Sequence, residues 1–534
     1  MLPNSLLPTL LPKAQFRAVV LCGFGVDLFP LVEPPTPLSA QDDDPSRSAH
    51  GQTKALLPVA GRKMIDWGLE RVEQAGVFDI LVLTPASISK PMAHHLRARR
   101  STPSSSTNPT AKVELEEIPE DVASRGTVRV LMWAAEHKLI TTDFILLPCD
   151  LLLSPATSAT STISLASLLD RHRTDDNLIT TLFSTRASGN VQEARKDGPA
   201  DILTIWDEAT DRLLDVREMD EFDHDEVPLR TSLLTKYSSP TLTTSLLPTE
   251  LYIFSALLLP FLTSQDPATV RRLKHFESIR DLTGWVARSH WRKRGTQDLS
   301  RGTTSSSANL QNELALGRST TQTPTYYPVS TGAFEDHARS EPQTPGTTTP
   351  ALVSRTSWLS NRNQHAFAND VVSNGSANLA QRRSGAGGCK VVVWKDEDGF
   401  CARGNTVNGW VELNRAALKL LPPQPAPTST PPGVFISPDS FLNPTVYEKL
   451  GEKVGIKRCI IGKSTTIGKG SKLTNSVIME NVVIGENVKL DNCVVSNGVQ
   501  IRDRAVLKDC EFGRDVIVDF DSQLKGEQLT VGDE

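Results

Sequence analysis

Aliphatic residues in roughly the last eighty positions recur with a period of 17. Ile461, Ile478, Val495 and Phe512 form one column. Ile467, Ile484, Ile501 and Val518 form a second, and Leu473, Leu490, Leu507 and Leu524 a third. Within each repeat the columns are spaced 6, 6 and 5 residues apart. Short coils that stack and each send three aliphatic side chains inward produce this pattern, so it predicts a parallel β-helix. One coil cannot bury its apolar side alone and must stack on a neighbour. Small or β-branched residues follow most aliphatic positions by four, as at Thr465, Ser471, Val482 and Val488. Gly462, Gly468, Gly485 and Gly513 directly follow an aliphatic residue, where a tight corner that tolerates no Cβ is expected. Leu450 and Ile456 extend the pattern backwards, so the stack is expected to begin near Phe435.

The N-terminal half has a different rhythm. Phe16–Leu21, Asp79–Thr84, Asp143–Pro148 and Glu250–Phe254 are short apolar runs of the kind buried in a sheet on both faces. Met64–Ala75, Val128–His137 and Ser278–Trp291 carry apolar residues at helical spacing, and Gly76 stands where the first of these should end. Strands alternating with helices predict an α/β domain with a mostly parallel, Rossmann-like sheet. Residues from about 295 to 385 are rich in Ser, Thr, Gly, Asn and Gln and lack periodicity, so disorder is expected there. The expected division is an N-terminal tail (1–15), an α/β domain (16–298) with insertions at 33–53 and 101–111, and a linker (299–387). A connecting segment with a proline-rich hinge (388–432), the β-helix (433–526) and a tail (527–534) follow.

Composition narrows the function classes. The chain has 534 residues and a net charge of −5, without the basic excess that broad binding to nucleic acid requires. No run of apolar residues approaches the length of a membrane span, and Pro3, Pro8 and Pro12 interrupt the leucine-rich start. Seven scattered Cys without a CxxC fit a reducing compartment, so a cytosolic protein without a membrane partner is expected. Cys459, Ser476, Cys493 and Cys510 share the 17-residue period, which reads as stacked small residues and not as a metal site.

Candidate chemistry gathers at the first strand end. Gly23 and Gly25 form a glycine turn whose backbone amides could face a phosphate. Lys54-Ala-Leu-Leu-Pro-Val59 follows the first insertion, Gly126-Thr127 opens a helix, and Asp150 ends a strand, where open parallel sheets bind ligands.

Leu21-Cys-Gly-Phe-Gly-Val-Asp-Leu-Phe-Pro-Leu31 with Lys54–Val59 resembles the signature of the nucleotide-sugar pyrophosphorylases. The C-terminal repeat is similar to the hexapeptide repeat of left-handed β-helices, trimmed by one residue per coil; such a helix also occurs behind the catalytic domain in that family. The resemblance implies that Lys54 faces phosphates, Gly126-Thr127 the base and Asp150 a Mg²⁺ ion. Asp27 stands where the family carries Arg. Two unit charges about 4 Å apart interact by about 1 kcal/mol in water and about 4 kcal/mol at an effective dielectric of about 20. Inverting the sign would remove electrostatic clamping of a triphosphate. Ala55 also replaces a usual Pro. No catalytic residue is expected, and the seven positions form a vestigial nucleotide pocket.

A pyrophosphorylase-like domain with a degraded signature joined to a β-helix resembles the gamma and epsilon subunits of translation initiation factor 2B. Leu147–Asp150, Ser278–Leu282, Gly399–Thr406 and Glu412–Arg415 are similar to the gamma type. Epsilon carries a further helical exchange domain, whereas this sequence stops about ten residues past its last repeat. The resemblance implies a fungal, non-catalytic subunit that pairs with epsilon, joins alpha, beta and delta, and serves GDP–GTP exchange on initiation factor 2. It implies no required cofactor, with residual GTP–Mg²⁺ binding as a further possibility. The alternative is an active pyrophosphorylase of the mannose-1-phosphate guanylyltransferase kind.

Overall fold

The computed structural model describes residues 16–32, 52–101, 111–156, 163–175, 177–185, 202–222, 227–237, 239–291, 388–421 and 431–531. The N-terminal tail, the linker and most of both insertions lie outside the described residues.

Among the described residues, the α/β domain has fourteen strands. They are β1 Phe16–Leu21, β2 Pro58–Val59, β3 Arg62–Lys63, β4 Asp79–Pro85, β5 Lys112–Ile118, β6 Asp143–Pro148 and β7 Leu151–Pro155. The remainder are β8 Ile179–Thr185, β9 Ile202–Asp207, β10 Arg212–Glu218, β11 Thr241–Thr243, β12 Leu246–Phe254, β13 Cys389–Trp394 and β14 Gly399–Arg403. Ten of them form one sheet in the order β11-β9-β10-β13-β8-β12-β6-β1-β4-β5. The part that carries the candidate site, β5-β4-β1-β6, is parallel throughout.

Apolar runs form these strands because both faces are covered. Val19, Leu81, Phe144 and Leu146 enter one core, while Ala18, Val20, Ile80, Val82 and Ile145 enter the other. Successive side chains in a strand point to opposite faces, so an uninterrupted apolar run serves both. The expected helices form as Met64–Gln74, Thr127–Glu136 and Ile279–Trp291, and Gly76 ends the first with φ +82°.

The segment expected to connect two domains does more. Its first strand, β13, lies inside the sheet, parallel to β8 and antiparallel to β10. Residues 389–394 therefore complete the α/β domain from a point about a hundred positions beyond its previous element. The sequence reading placed these residues in a connecting segment; their place in the sheet order is a matter of topology.

The C-terminal domain is a three-sided parallel β-helix. Its strands form parallel sheets of six, six and four, and each column pairs in register, as in Ile467 with Ile484, Ile484 with Ile501, and Ile501 with Val518. The inward columns form one core and are buried except at the C-terminal end, where Leu524 is half-buried. The last strand, Gln528–Leu529, lies beyond the expected boundary at 526.

Gly462, Gly468 and Gly485 stand at turns after short strands and admit no Cβ, as expected. They do not occupy left-handed corners. A Cβ at Gly462 would lie 2.6 Å from the Met479 carbonyl oxygen, and one at Gly468 2.4 Å from that of Gly485. Close approach of the next coil requires glycine there. The left-handed corners fall at positions such as Asn475, Asn492 and Asp509, with φ of 53–54°, a conformation Asn and Asp accept more readily than other side chains. Their side chains run as a ladder, Asn475 Nδ2 donating to Asn492 Oδ1 at 3.0 Å and Asn492 Nδ2 to Asp509 Oδ1 at 2.7 Å.

The thiol ladder is structural. Cys459, Ser476, Cys493 and Cys510 are all buried, and each donates from its sulfur or hydroxyl to the carbonyl two residues earlier. Burial pushes the Cys493 thiol up to about 12, so it stays neutral.

One outer face of the β-helix is apolar as far as it is covered. Ile460, Val477 and Val494 occupy one outward column and pack with Val59, Met64, Trp67 and Trp410 of the α/β domain. The same column continues as Glu511 and Gln528, which are outside that cluster. Asn414, on the helix Val407–Leu420, ties that helix to the turn after β2, behind this face. Its Oδ1 accepts from Ala60 N at 2.9 Å, and its Nδ2 donates to Trp410 O at 3.0 Å. Asn414→Ala should cost about 2 kcal/mol, because it strands a buried backbone N–H. A calorimetric scan should show the α/β part melting at a lower temperature; an unchanged scan would mean these bonds add nothing to its stability.

Candidate functional site

The site sits beyond the carboxyl ends of β1 and β6. Both chains leave the sheet in register: Cys22 N donates to Leu83 O at 2.9 Å and Cys149 N to Leu21 O at 3.1 Å. Gly25 follows with φ +79°, and a Cβ there would lie 2.8 Å from Lys54 Cβ. The glycine turn and the lysine motif therefore pack directly against each other. Gly23 is exposed, and a Cβ there would meet nothing within 4 Å.

Lys54 is buried, and its Nζ lies 3.1 Å from Asp150 Oδ2. Asp150 is fully buried. A second cation reaches it from β14, where the Arg403 Nη2 lies 3.2 Å from each carboxylate oxygen. Oδ2 is at ion-pair distance from both cations, though outside hydrogen-bond geometry. Pairing of β14 with β7 sets Arg403 opposite Leu151, and Gly404 N donates to Asp150 O at 2.9 Å. Next, Asn405 Oδ1 accepts from Lys54 Nζ at 2.5 Å, while its Nδ2 donates to Asp27 Oδ2 at 3.0 Å. Asp27, Asn405, Lys54, Asp150 and Arg403 thus form one continuous polar chain.

Burial alone would raise the Asp150 carboxyl, but Arg403 and Lys54 outweigh it and hold the group at about 2. Burial works against the Arg403 charge as well, and Asp150 and Glu250 more than compensate, so the guanidinium is raised above its ordinary value.

These residues do not fit the Mg²⁺ ion that the resemblance assigns to Asp150. Its carboxylate already faces an ammonium and a guanidinium, and a divalent cation there would stand beside two fixed positive charges. Among the described residues, no group of three or more His, Cys, Asp or Glu gathers as metal ligands would.

Gly126 and Thr127 make their contacts elsewhere. A Cβ at Gly126, φ +101°, would lie 2.3 Å from the Glu277 carbonyl oxygen, and Thr127 Oγ1 accepts from Ile279 N at 3.0 Å. The pair docks the helix Thr127–Glu136 onto the start of the helix Ile279–Trp291. Of the seven expected positions, Gly25, Asp27, Lys54 and Asp150 are therefore joined through contacts at the strand ends. Arg403 and Asn405 belong with them; the segment Gly399–Thr406 stood out only by its resemblance to the gamma type, and nothing local to it pointed to Asp150 or Lys54.

Comparison with known proteins agrees with this architecture. Residues 45–197 match the MobA-like NTP transferase domain family, and residues 428–530 match the GMPPB C-terminal domain family. The first match contains Lys54, Gly126, Thr127 and Asp150 and begins after the glycine turn. The chain is 24% identical over 283 residues to the translation initiation factor eIF2B subunit gamma of Schizosaccharomyces pombe (strain 972 / ATCC 24843), covering 52% of each protein. The chain thus spans about half the length of this curated relative. The protein combines a nucleotidyltransferase-like α/β domain with a C-terminal parallel β-helix. Among the described residues, no helix is long and apolar enough to cross a membrane.

Proposed function

We propose that this chain is a non-catalytic, gamma-type subunit of a cytosolic translation initiation factor 2B complex, which exchanges GDP for GTP on initiation factor 2. It pairs with an epsilon-type subunit that carries the exchange activity, and alpha-, beta- and delta-type subunits complete the assembly. The observation that carries the non-catalytic half is the neutralised carboxylate. Asp150 holds Lys54 and Arg403 within 3.2 Å, so the residues a nucleotidyltransferase would present to phosphate and metal are engaged with each other. Similarity to an eIF2B gamma subunit supports the assembly half.

A second reading is a sugar-nucleotide pyrophosphorylase, favoured by the family matches at both ends of the chain. The two readings separate in one preparation. Tagged full-length chain isolated from its native cells should carry an epsilon-type chain, identified by mass. The same material should release no pyrophosphate from GTP plus mannose-1-phosphate with Mg²⁺. Turnover that scales with the purified chain would overturn the non-catalytic half; recovery without an epsilon-type chain would overturn the assembly half.

A further inference from the structure

We propose that Arg403 is a resident cation that keeps divalent metal out of the Asp150 site, and that Gly399–Asn405 is a plug, supplied by the same chain, over the carboxyl end of the sheet. This rests on the non-catalytic half of the reading above and is independent of any partner.

The segment is held along its whole length. β14 pairs with β7 through five successive residues, from Gly399 opposite Pro155 to Arg403 opposite Leu151. That register delivers Arg403 beside Asp150. At one end a Cβ on Gly399 would lie 2.3 Å from the Ser154 carbonyl oxygen; at the other, a Cβ on Gly404 would lie 2.7 Å from Leu413 Cδ1. Gly399, with φ +118°, permits a backbone approach that a side chain would prevent. Immediately afterwards Thr406 caps the helix Val407–Leu420, its Oγ1 accepting from Gly409 N at 3.1 Å. That helix is anchored through the fully buried Trp410. Strand pairing on one side and a capped, buried helix on the other anchor the plug at both ends.

The chemistry at its tip is that of a substituted metal. A hard divalent ion needs several oxygen ligands, at about 2.0–2.1 Å for Mg²⁺. The Arg403 guanidinium lies against both Asp150 oxygens at 3.2 Å, in the space such an ion would use, and supplies a fixed charge of the same sign. Asn405 completes the closure by binding Lys54 and Asp27 together. Asp27 therefore acts as a positioning residue for the plug.

The test is Mn²⁺ titration of the full chain, followed by electron paramagnetic resonance, with a thermal melt of each variant by circular dichroism. The parent and Arg403→Lys should show no Mn²⁺ site that depends on Asp150. Arg403→Asp shortens the side chain and leaves a gap between two carboxylates. It should gain a site at least tenfold tighter than any in the parent, and adding Asp150→Asn should abolish it. Arg403→Gln, nearer in size, carries the same test if Arg403→Asp fails to fold, with a smaller gain. Asp150-dependent Mn²⁺ binding by the parent would overturn the proposal, as would a folded Arg403→Asp or Arg403→Gln without any gain. Neither result bears on which chains co-purify.

Discussion

Ile484→Asp should unfold the β-helix, at a cost of about 5 kcal/mol. Ile484 is 1% exposed and stacks between Ile467 and Ile501 in one inward column. Truncating such a side chain in a packed core costs about 2–5 kcal/mol, and burying an unpaired carboxyl adds about 1–3 kcal/mol. A folded domain has about 5–15 kcal/mol in all, so this one residue removes much of it. The neighbouring position supplies the control. Val483 lies on the same strand, points outward and is 47% exposed. Val483→Asp should change stability by no more than about 0.5 kcal/mol. Urea unfolding of both variants, read by far-ultraviolet circular dichroism, decides the matter. Equal effects would mean that the alternation assigned to this strand is wrong, because a slip of one residue exchanges the two faces.

The second large effect is expected at Asp150. Asp150→Asn should cost about 3 kcal/mol at neutral pH, since it leaves Lys54 and Arg403 close together without their shared counter-charge. The figure stands at the low end for a broken buried pair because the Arg403 side chain keeps 25% exposure, where solvent screens it. The pH dependence has a definite sign. Asp150 is held at about 2 in the folded chain against 3.8 ordinarily. The stability its ionised form contributes is therefore fully present above pH about 4 and is lost as pH falls through about 2. The gap between parent and Asp150→Asn should narrow across that window by about 2 kcal/mol. Urea melts of both proteins at pH 7, 4, 3 and 2 measure it. A gap that stays constant would show that the carboxylate acts through shape and not through charge.

Much of the fold was legible because its physics is repetitive or local. Each coil of the β-helix meets the same environment as the coil before it, so one inward geometry prints the same residues every 17 positions. The helix at Met64–Gln74 announced itself through spacing and through Gly76. The glycines of the repeat were legible as corners that admit no Cβ. Gly468 is set by the Gly485 carbonyl of the next coil, a contact between residues 17 apart. Local turn chemistry placed Asn and Asp at left-handed positions such as Asn475, Asn492 and Asp509.

The candidate site was legible only in part. Gly25, Lys54 and Asp150 stood out by residue type and by position at strand ends. Gly126 and Thr127 looked similar, yet their partners are Glu277 and Ile279. Nothing near them in the chain distinguishes a glycine that admits a ligand from one that admits another backbone.

By itself, then, the sequence determined the inward register of the β-helix, the two-faced strands of the α/β domain and the unusual Asp27. Each follows from short-range periodicity or from a single residue's charge. Only the tertiary structure decided that β13 enters the sheet beside β8, and that Arg403 and Asn405 close over Asp150 and Lys54. Those partners are 253 and 351 positions apart. At such separations strand order, not local pattern, determines which charges meet, and here it brings two cations to one buried carboxylate.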